Sequence, residues 1–190
     1  MAGILLGAAS FVVIFWVDFL FLRNIRSVQP ALWLLSILLF ISGAVLCAGS
    51  PASVPLTLPL RALGWAFCVV FGLLLVYSLF IEIPFSRRPG HVVVIGTYAL
   101  CRHPGVLWFA GFLAGLFLAR GSNWLLVAAP VWVSLDVLLA VLQEKLFFVR
   151  MFGVSYRAYQ RTVPMFVPTL RSALACSQTI FRREERVDVR

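Results

Sequence analysis

Apolar residues run through this chain in five blocks, at 3–22, 31–48, 60–83, 106–119 and 124–142, separated by short polar or proline-bearing breaks. A helix of about 20 apolar residues crosses the hydrocarbon core of a bilayer. The pattern therefore predicts five transmembrane helices, the fourth of them short. Pro30, Pro51, Pro55, Pro59, Pro84, Pro89 and Pro104 fall between blocks, where a missing N–H costs no helical bond. Pro130 falls inside the fifth block and predicts a kink of the kind membrane helices tolerate. Only Arg120, Gly121, Ser122 and Asn123 separate blocks four and five, so these two form a tight helical hairpin. No basic residue precedes the first block and no clear cleavage site follows it, which predicts a retained helix rather than a signal peptide.

Beyond residue 142 the pattern changes. Leu146, Val149, Phe152 and Tyr156 recur at helical spacing, with Arg150, Arg157 and Arg161 on another face. That is the signature of an amphipathic helix lying at a membrane interface. It opens a polar C-terminal region, 143–190.

Composition agrees. Hydrophobic residues make up 62% of the 190, charged residues 12%, and the mean hydropathy is +1.01. A soluble domain carries about a quarter charged residues. The chain reads as one all-α integral membrane domain spanning 1–190, with the lipid bilayer as its solvent. The net charge of +9 is a matter of topology rather than of nucleic-acid binding. Of 16 Lys and Arg residues, 14 lie in 23–30, in 84–105 or after 142; the other two are Arg61 and Arg120. Basic loops stay in the cytoplasm, so the N-terminus is predicted outside and the C-terminus inside. A bacterial inner membrane and an endoplasmic reticulum membrane both satisfy this.

The same asymmetry locates the chemistry. The four cysteines show no metal-ligand spacing, two histidines are too few for a metal site, and no GxSxG, HExxH or glycine-rich phosphate loop occurs. No soluble segment is long enough for a nucleotide-binding domain. Any cofactor must be gripped by loops and helix ends on the cytoplasmic face. There the loop 84–105 offers Gly90 and Gly96, where backbone can approach a ligand closely, together with His91. Carboxylates in membrane helices are expensive and are functional candidates by default. Asp18 is predicted to pair with Arg23 or Arg26, and Glu82 closes the third block. Asp136 and Glu144, eight residues apart, share a helix face with Ala140 and Gln143. Asp136 reads equally as a structural hydrogen-bond partner and as a catalyst.

One ordered set of residues stands out: Gly96-x-Tyr98-x-x-x-Arg102-His103-Pro104, a helical hairpin, Glu144, Phe152-Gly153-x-x-Tyr156-x-x-Tyr159, then Val163-Pro164 and Pro168. Over about residues 88–168 this resembles the isoprenylcysteine carboxyl methyltransferase family, with phospholipid methyltransferases as relatives. The resemblance implies an integral membrane methyltransferase that uses S-adenosylmethionine and takes a lipidic substrate, a carboxylate, thiol or amine, sideways from the bilayer. It implies Arg102 and Glu144 as catalytic residues. It implies His91, Val93, Gly96, Tyr98, Arg102, His103, Pro104, Glu144, Tyr156 and Tyr159 as cofactor-binding residues, and no metal. On that reading Arg102 and His103 hold the cofactor's carboxylate, and Glu144 its ammonium or a ribose hydroxyl. The tyrosines pack on the adenine or beside the sulfonium. The chain departs from the family's pattern at Val106, where an aromatic is usual, at Gln143, where a second glutamate is usual, and at Met165, where a basic residue is frequent. A prenylated protein substrate therefore does not follow. Two other readings compete: a membrane enzyme of the sterol-reductase type, which shares an Arg-His-Pro signature and uses NADPH, and a small non-enzymatic scaffold or transporter. Against transport, the charges gather at one membrane face instead of along a midplane path.

Overall fold

The computed structural model describes residues 1–23, 25, 27–82 and 92–179. His91, Gly90, Arg26, Arg87, Arg88 and the terminal arginines 182, 183, 186 and 190 lie outside the described residues. Every regular element among those described is helical. Helix α1 is Ala2–Leu22, α2 Gln29–Ala48 and α3 Leu58–Val76, the last ending in a π-helical stretch, Tyr77–Glu82. The short α4 is Thr97–Leu100, followed by α5 Pro104–Arg120 and α6 Asn123–Gln143. A π-helical turn, Glu144–Phe148, leads from α6 into α7, Val149–Thr162, and α8 is Leu170–Thr179.

Four stretches are long and apolar enough to cross a membrane: Ala2–Leu22, Gln29–Ala48, Leu58–Glu82 and Asn123–Thr162. This is a multi-pass membrane protein. The fourth predicted span is the 17-residue α5, about 26 Å long at 1.5 Å per residue, somewhat short of a hydrocarbon core of about 30 Å. The last stretch has 40 residues, about twice what one span needs. Its apolar half, α6, matches the predicted fifth span, and its second half is the amphipathic α7. The helix runs on past residue 142 through a π turn at Glu144–Phe148 and breaks at Gly153, whose φ of 54° and ψ of −121° are non-helical, so the separation into two helices lies later than predicted. Pro130 sits inside α6 without ending it.

Local chemistry sets the boundaries. Proline occupies the first turn of α2, α3 and α5, where no helical N–H bond is lost. Gly121 closes α5 in the left-handed conformation, and its carbonyl accepts the N–H groups of Ser53 and Val54, at 2.9 and 3.0 Å. Ser122 Oγ lies 2.7 Å from Ser50 Oγ and donates to the Cys47 carbonyl, also at 2.7 Å, while Arg120 Nε reaches the Ala48 carbonyl at 2.9 Å. These bonds tie the end of α2 to the predicted hairpin of α5 and α6.

Inside a bilayer apolar area alone does not bring helices together; close packing of small residues does. Gly3, Gly7 and Gly43 form the α1–α2 seam, where an added methyl on Gly43 would meet backbone of Gly3 and Gly7. Gly64 and Gly115 do the same between α3 and α5. Trp132 of α6, fully buried, lies against Gly7 and donates its indole N–H to the Ile4 carbonyl at 3.1 Å. One helical stripe of α6 therefore faces α1. Gln143, further along it, donates to Asp18 at 2.7 Å; of the two arginines anticipated for that carboxylate, Arg26 lies outside the described residues. Asp136 lies between them, half-buried. The outer surface is apolar: Leu73 is 66% and Val45 62% exposed, positions suited to lipid.

A buried carboxylate at the basic end

The two π-helical stretches lie at the same end of the bundle, where Arg23, Lys145, Arg150, Arg157, Arg161 and Arg171 are exposed. Each stretch presents one buried carboxylate, Glu82 from the first and Glu144 from the second. Both are received by the segment 96–103. The backbone N–H of Thr97 donates to Glu82 Oε1 at 2.7 Å, and the Thr97 hydroxyl donates to Glu82 Oε2. Gly96 has a φ of 60° and lies so close to Glu82 that a Cβ would overlap the carboxylate. Glycine is required there on both counts. Its N–H meets Thr179 Oγ1 of α8 at 3.0 Å.

Six residues further on, the same segment reaches Glu144. Arg102 grips it with both ends of its fork, Nε to Oε1 at 2.7 Å and Nη2 to Oε2 at 3.1 Å. This bidentate, charge-assisted arrangement is the strong form of the contact. His103 Nε2 lies 3.0 Å from Oε1, and Gln160 Nε2 donates to Oε2 at 2.8 Å. Arg102 Nη1 donates to the carbonyls of Gln160 and Val163, at 3.1 and 2.7 Å. The backbones of Arg102 and His103 donate to Pro164 and Met165, at 2.9 and 3.2 Å. The stretch after α7 is thus held beside the Arg-His pair by main-chain bonds.

Aromatic rings close the cluster. His103 is stacked on Phe148, centroids 6.2 Å apart and planes at 17°, with Phe166 on it at 5.7 Å. Phe148 meets Tyr156 at 5.5 Å, and Tyr156 meets Tyr159 at 5.9 Å. The Tyr159 hydroxyl donates to the Tyr98 carbonyl at 2.6 Å, tying α7 to α4. Burial pushes the Tyr156 and Tyr159 phenols far up, so both remain protonated donors. Burial alone would also raise the Glu144 carboxyl. The His103, Arg102, Gln160 and Tyr156 donors outweigh it and hold the group well below the usual carboxylate range.

Beside this cluster, a cavity of about 240 Å³ opens between α4, α7 and α8, lined by Val94, Ala99, Tyr159, Thr162, Val163 and Arg171 among others. Of the residues anticipated from sequence, Tyr98, Arg102, His103, Glu144, Tyr156 and Tyr159 come together here. Gly96 stands one helical turn away on Glu82. Pro104 is buried in the first turn of α5 behind His103. Val93 sits in the extended stretch before Gly96, next to the cavity-lining Val94. Among the described residues, no group of three or more His, Cys, Asp or Glu is arranged to hold a metal ion. Sequence reasoning missed Gln160, Phe148, Phe166 and the Glu82–Thr97 bond. The signal for the last was an acid ending a hydrophobic block, the same signal that singled out Glu144. No protein family, curated protein or solved structure matches the chain.

Proposed function

We propose that the chain is an S-adenosylmethionine-dependent membrane methyltransferase acting at the cytoplasmic leaflet on a lipidic or membrane-partitioned acceptor. One observation carries this reading: Arg102 and His103, Glu144, and Tyr156 to Gln160, far apart in the chain, converge on a single buried carboxylate. These are the stretches on which the family resemblance rests.

The donors and acceptors left over fit a zwitterionic ligand with an aromatic part. Arg102 commits four of its five N–H donors to Glu144 and two main-chain carbonyls. The remaining Nη2 hydrogen and Arg171 at the cavity are the donors for a carboxylate. The Glu144 oxygens are already met by Arg102, His103, Gln160 and the Tyr156 hydroxyl, so an ammonium has to displace one donor. Gln160 is the one to yield, because it is neutral and single-pronged, whereas the guanidinium is charged and bidentate. Tyr159 walls the cavity with an aromatic face that suits both an adenine and a sulfonium. S-adenosylmethionine, when bound, supplies an electrophilic methyl group on sulfur. The protein's own part is alignment and exclusion of water. Arg102 and Glu144 brace the segment 96–103 against the end of α7, and the rings of Phe148, Tyr156 and Phe166 keep the site dry.

The test is direct binding. Isothermal calorimetry on purified protein is expected to show uptake of S-adenosylmethionine or S-adenosylhomocysteine, and Glu144→Ala and His103→Ala are expected to abolish it. Saturable NADPH binding without S-adenosylmethionine binding would overturn the proposal and favour the reductase reading.

A further inference from the structure

On the opposite side of the π turn from His103 lies a second cavity, of about 250 Å³. Its walls are Phe15, Trp16, Phe19 and Leu22 of α1, and Leu146 and Phe147 of the π turn; its one charged lining residue is Arg150. The α1 residues follow one another at helical spacing and form a continuous stripe. The π turn makes the opposing wall. It sends Phe147 towards α1, where its ring meets Phe15 at 5.9 Å, and the adjacent Phe148 towards His103. Trp16 is 52% exposed and braced edge-on by Phe19, at 5.5 Å. The groove therefore opens sideways at the end of a membrane helix.

Two guanidiniums flank it. Arg150 lines the groove and is exposed. Arg23 sits with its guanidinium carbon 5.3 Å from the ring centre of Phe19, one of the wall residues. The carboxylate of this part of α1, Asp18, is held by Gln143. An apolar slot at the membrane edge with two cations above it matches one ligand chemistry: an acyl chain below and an anionic headgroup at the rim. Cations near a membrane surface draw anionic lipids in this way. A neutral chain would leave both guanidiniums without a counter-ion among the described residues, and a free phosphate would leave the aromatic walls uncovered.

We infer that this groove is a binding site for one anionic phospholipid, with an acyl chain along Phe15, Phe19, Leu146 and Phe147 and its phosphate held by Arg150 and Arg23. The site is separate from the Glu144 cluster, and the inference stands whether or not the methyltransferase reading does. A lipid here would press α1 onto the π turn that presents Glu144.

Native mass spectrometry of the detergent-solubilised protein, offered phosphatidylglycerol and phosphatidylcholine of matched chains, tests it. One phosphatidylglycerol is expected to remain bound, at least tenfold in preference to phosphatidylcholine. Arg150→Gln and Arg23→Gln should each weaken its retention about fivefold, Arg150→Lys should keep most of it, and Arg157→Gln should leave it unchanged. Leu146→Trp, which fills the slot while keeping both charges, should abolish retention, with the thermal midpoint reporting that each variant is folded. Equal retention of the two lipids, an Arg157→Gln effect as large as that of Arg150→Gln, or displacement by millimolar inorganic phosphate would each overturn the inference.

Discussion

The Arg102–Glu144 pair offers the sharpest test of how the basic end is held together. Their side chains are only 10% and 7% exposed, so neither charge can turn to water if the other is removed. Breaking a buried pair from one side costs about 3–5 kcal/mol, because it strands a charge. Arg102→Met and Glu144→Leu should each destabilise the protein by that amount. At about 2–4 °C per kcal/mol for a chain of this size, the thermal midpoint should fall by roughly 6–20 °C. The double variant removes both charges together. What it leaves unpaired are the Gln160 and Val163 carbonyls, the Gln160 amide and the His103 ring nitrogen, polar groups that cost about 1–3 kcal/mol each when stranded and that one or other single variant strands as well. The double variant should therefore be no less stable than either single one, with a coupling energy of at least about 2 kcal/mol. Thermal unfolding in lipid nanodiscs, followed by tryptophan fluorescence, gives the four corners of the cycle. Additivity to within about 0.5 kcal/mol would refute the reasoning, since it would mean that the two groups do not share one desolvated site. Binding of S-adenosylmethionine should be lost in all three variants, including the double variant. That separates a recognition role from a purely structural one.

Other expectations follow from the same geometry. Because Glu144 is held below the usual carboxylate range, it stabilises the fold above its unfolded pKa of about 4.3, and this contribution is lost as pH falls through its lower folded value. Acid titration of stability should lose that limb in Glu144→Gln, and an unchanged acid profile would contradict the assignment. Gly96→Ala combines a left-handed φ with a Cβ that overlaps Glu82; it should cost more than the roughly 1–2 kcal/mol of the backbone term alone. Thermal melting measures this, and a cost below 1 kcal/mol would sink the account. Gly153→Ala has the same backbone problem but open space around it, so it should cost about 1–3 kcal/mol, the backbone strain alone. Cys101 is fully buried, and burial pushes its thiol up to about 11. It should resist maleimide at pH 8 until the protein unfolds; rapid labelling of the native protein would show that the segment 96–103 opens.

What could be read from the sequence, and what could not, divides along physical lines. Membrane helices announce themselves because each must satisfy its own backbone bonds over a fixed thickness, so apolar length alone marks α1, α2, α3 and α6. The short α5 was legible through its proline start at Pro104 and its Gly121 stop. The π turns were not legible. They insert a residue without any compositional mark, yet they decide which way Glu82, Glu144, Phe147 and Phe148 point. Glu144 was found as a carboxylate at the end of an apolar block, and Arg102 through the Arg-His-Pro set. That the two would bind each other, and not only a ligand, depends on where α7 returns after its bend at Gly153, a long-range fact that periodicity does not hold. Gln160 was missed for the same reason: a glutamine on an amphipathic helix looks like solvent-facing surface until the helix folds back on the site. The consequence for function is specific. A reading that assigns Arg102 and Glu144 directly to a cofactor has to include a displacement step, since both are already partnered, and Gln160 is where that displacement is easiest. Gln160→Ala would remove the competing donor while leaving the bidentate grip intact. If the Glu144 carboxylate receives a ligand's ammonium there, this variant should bind S-adenosylmethionine at least as tightly as the unaltered protein. Weaker binding would mean that Gln160 orients Glu144 for the ligand instead of yielding to it.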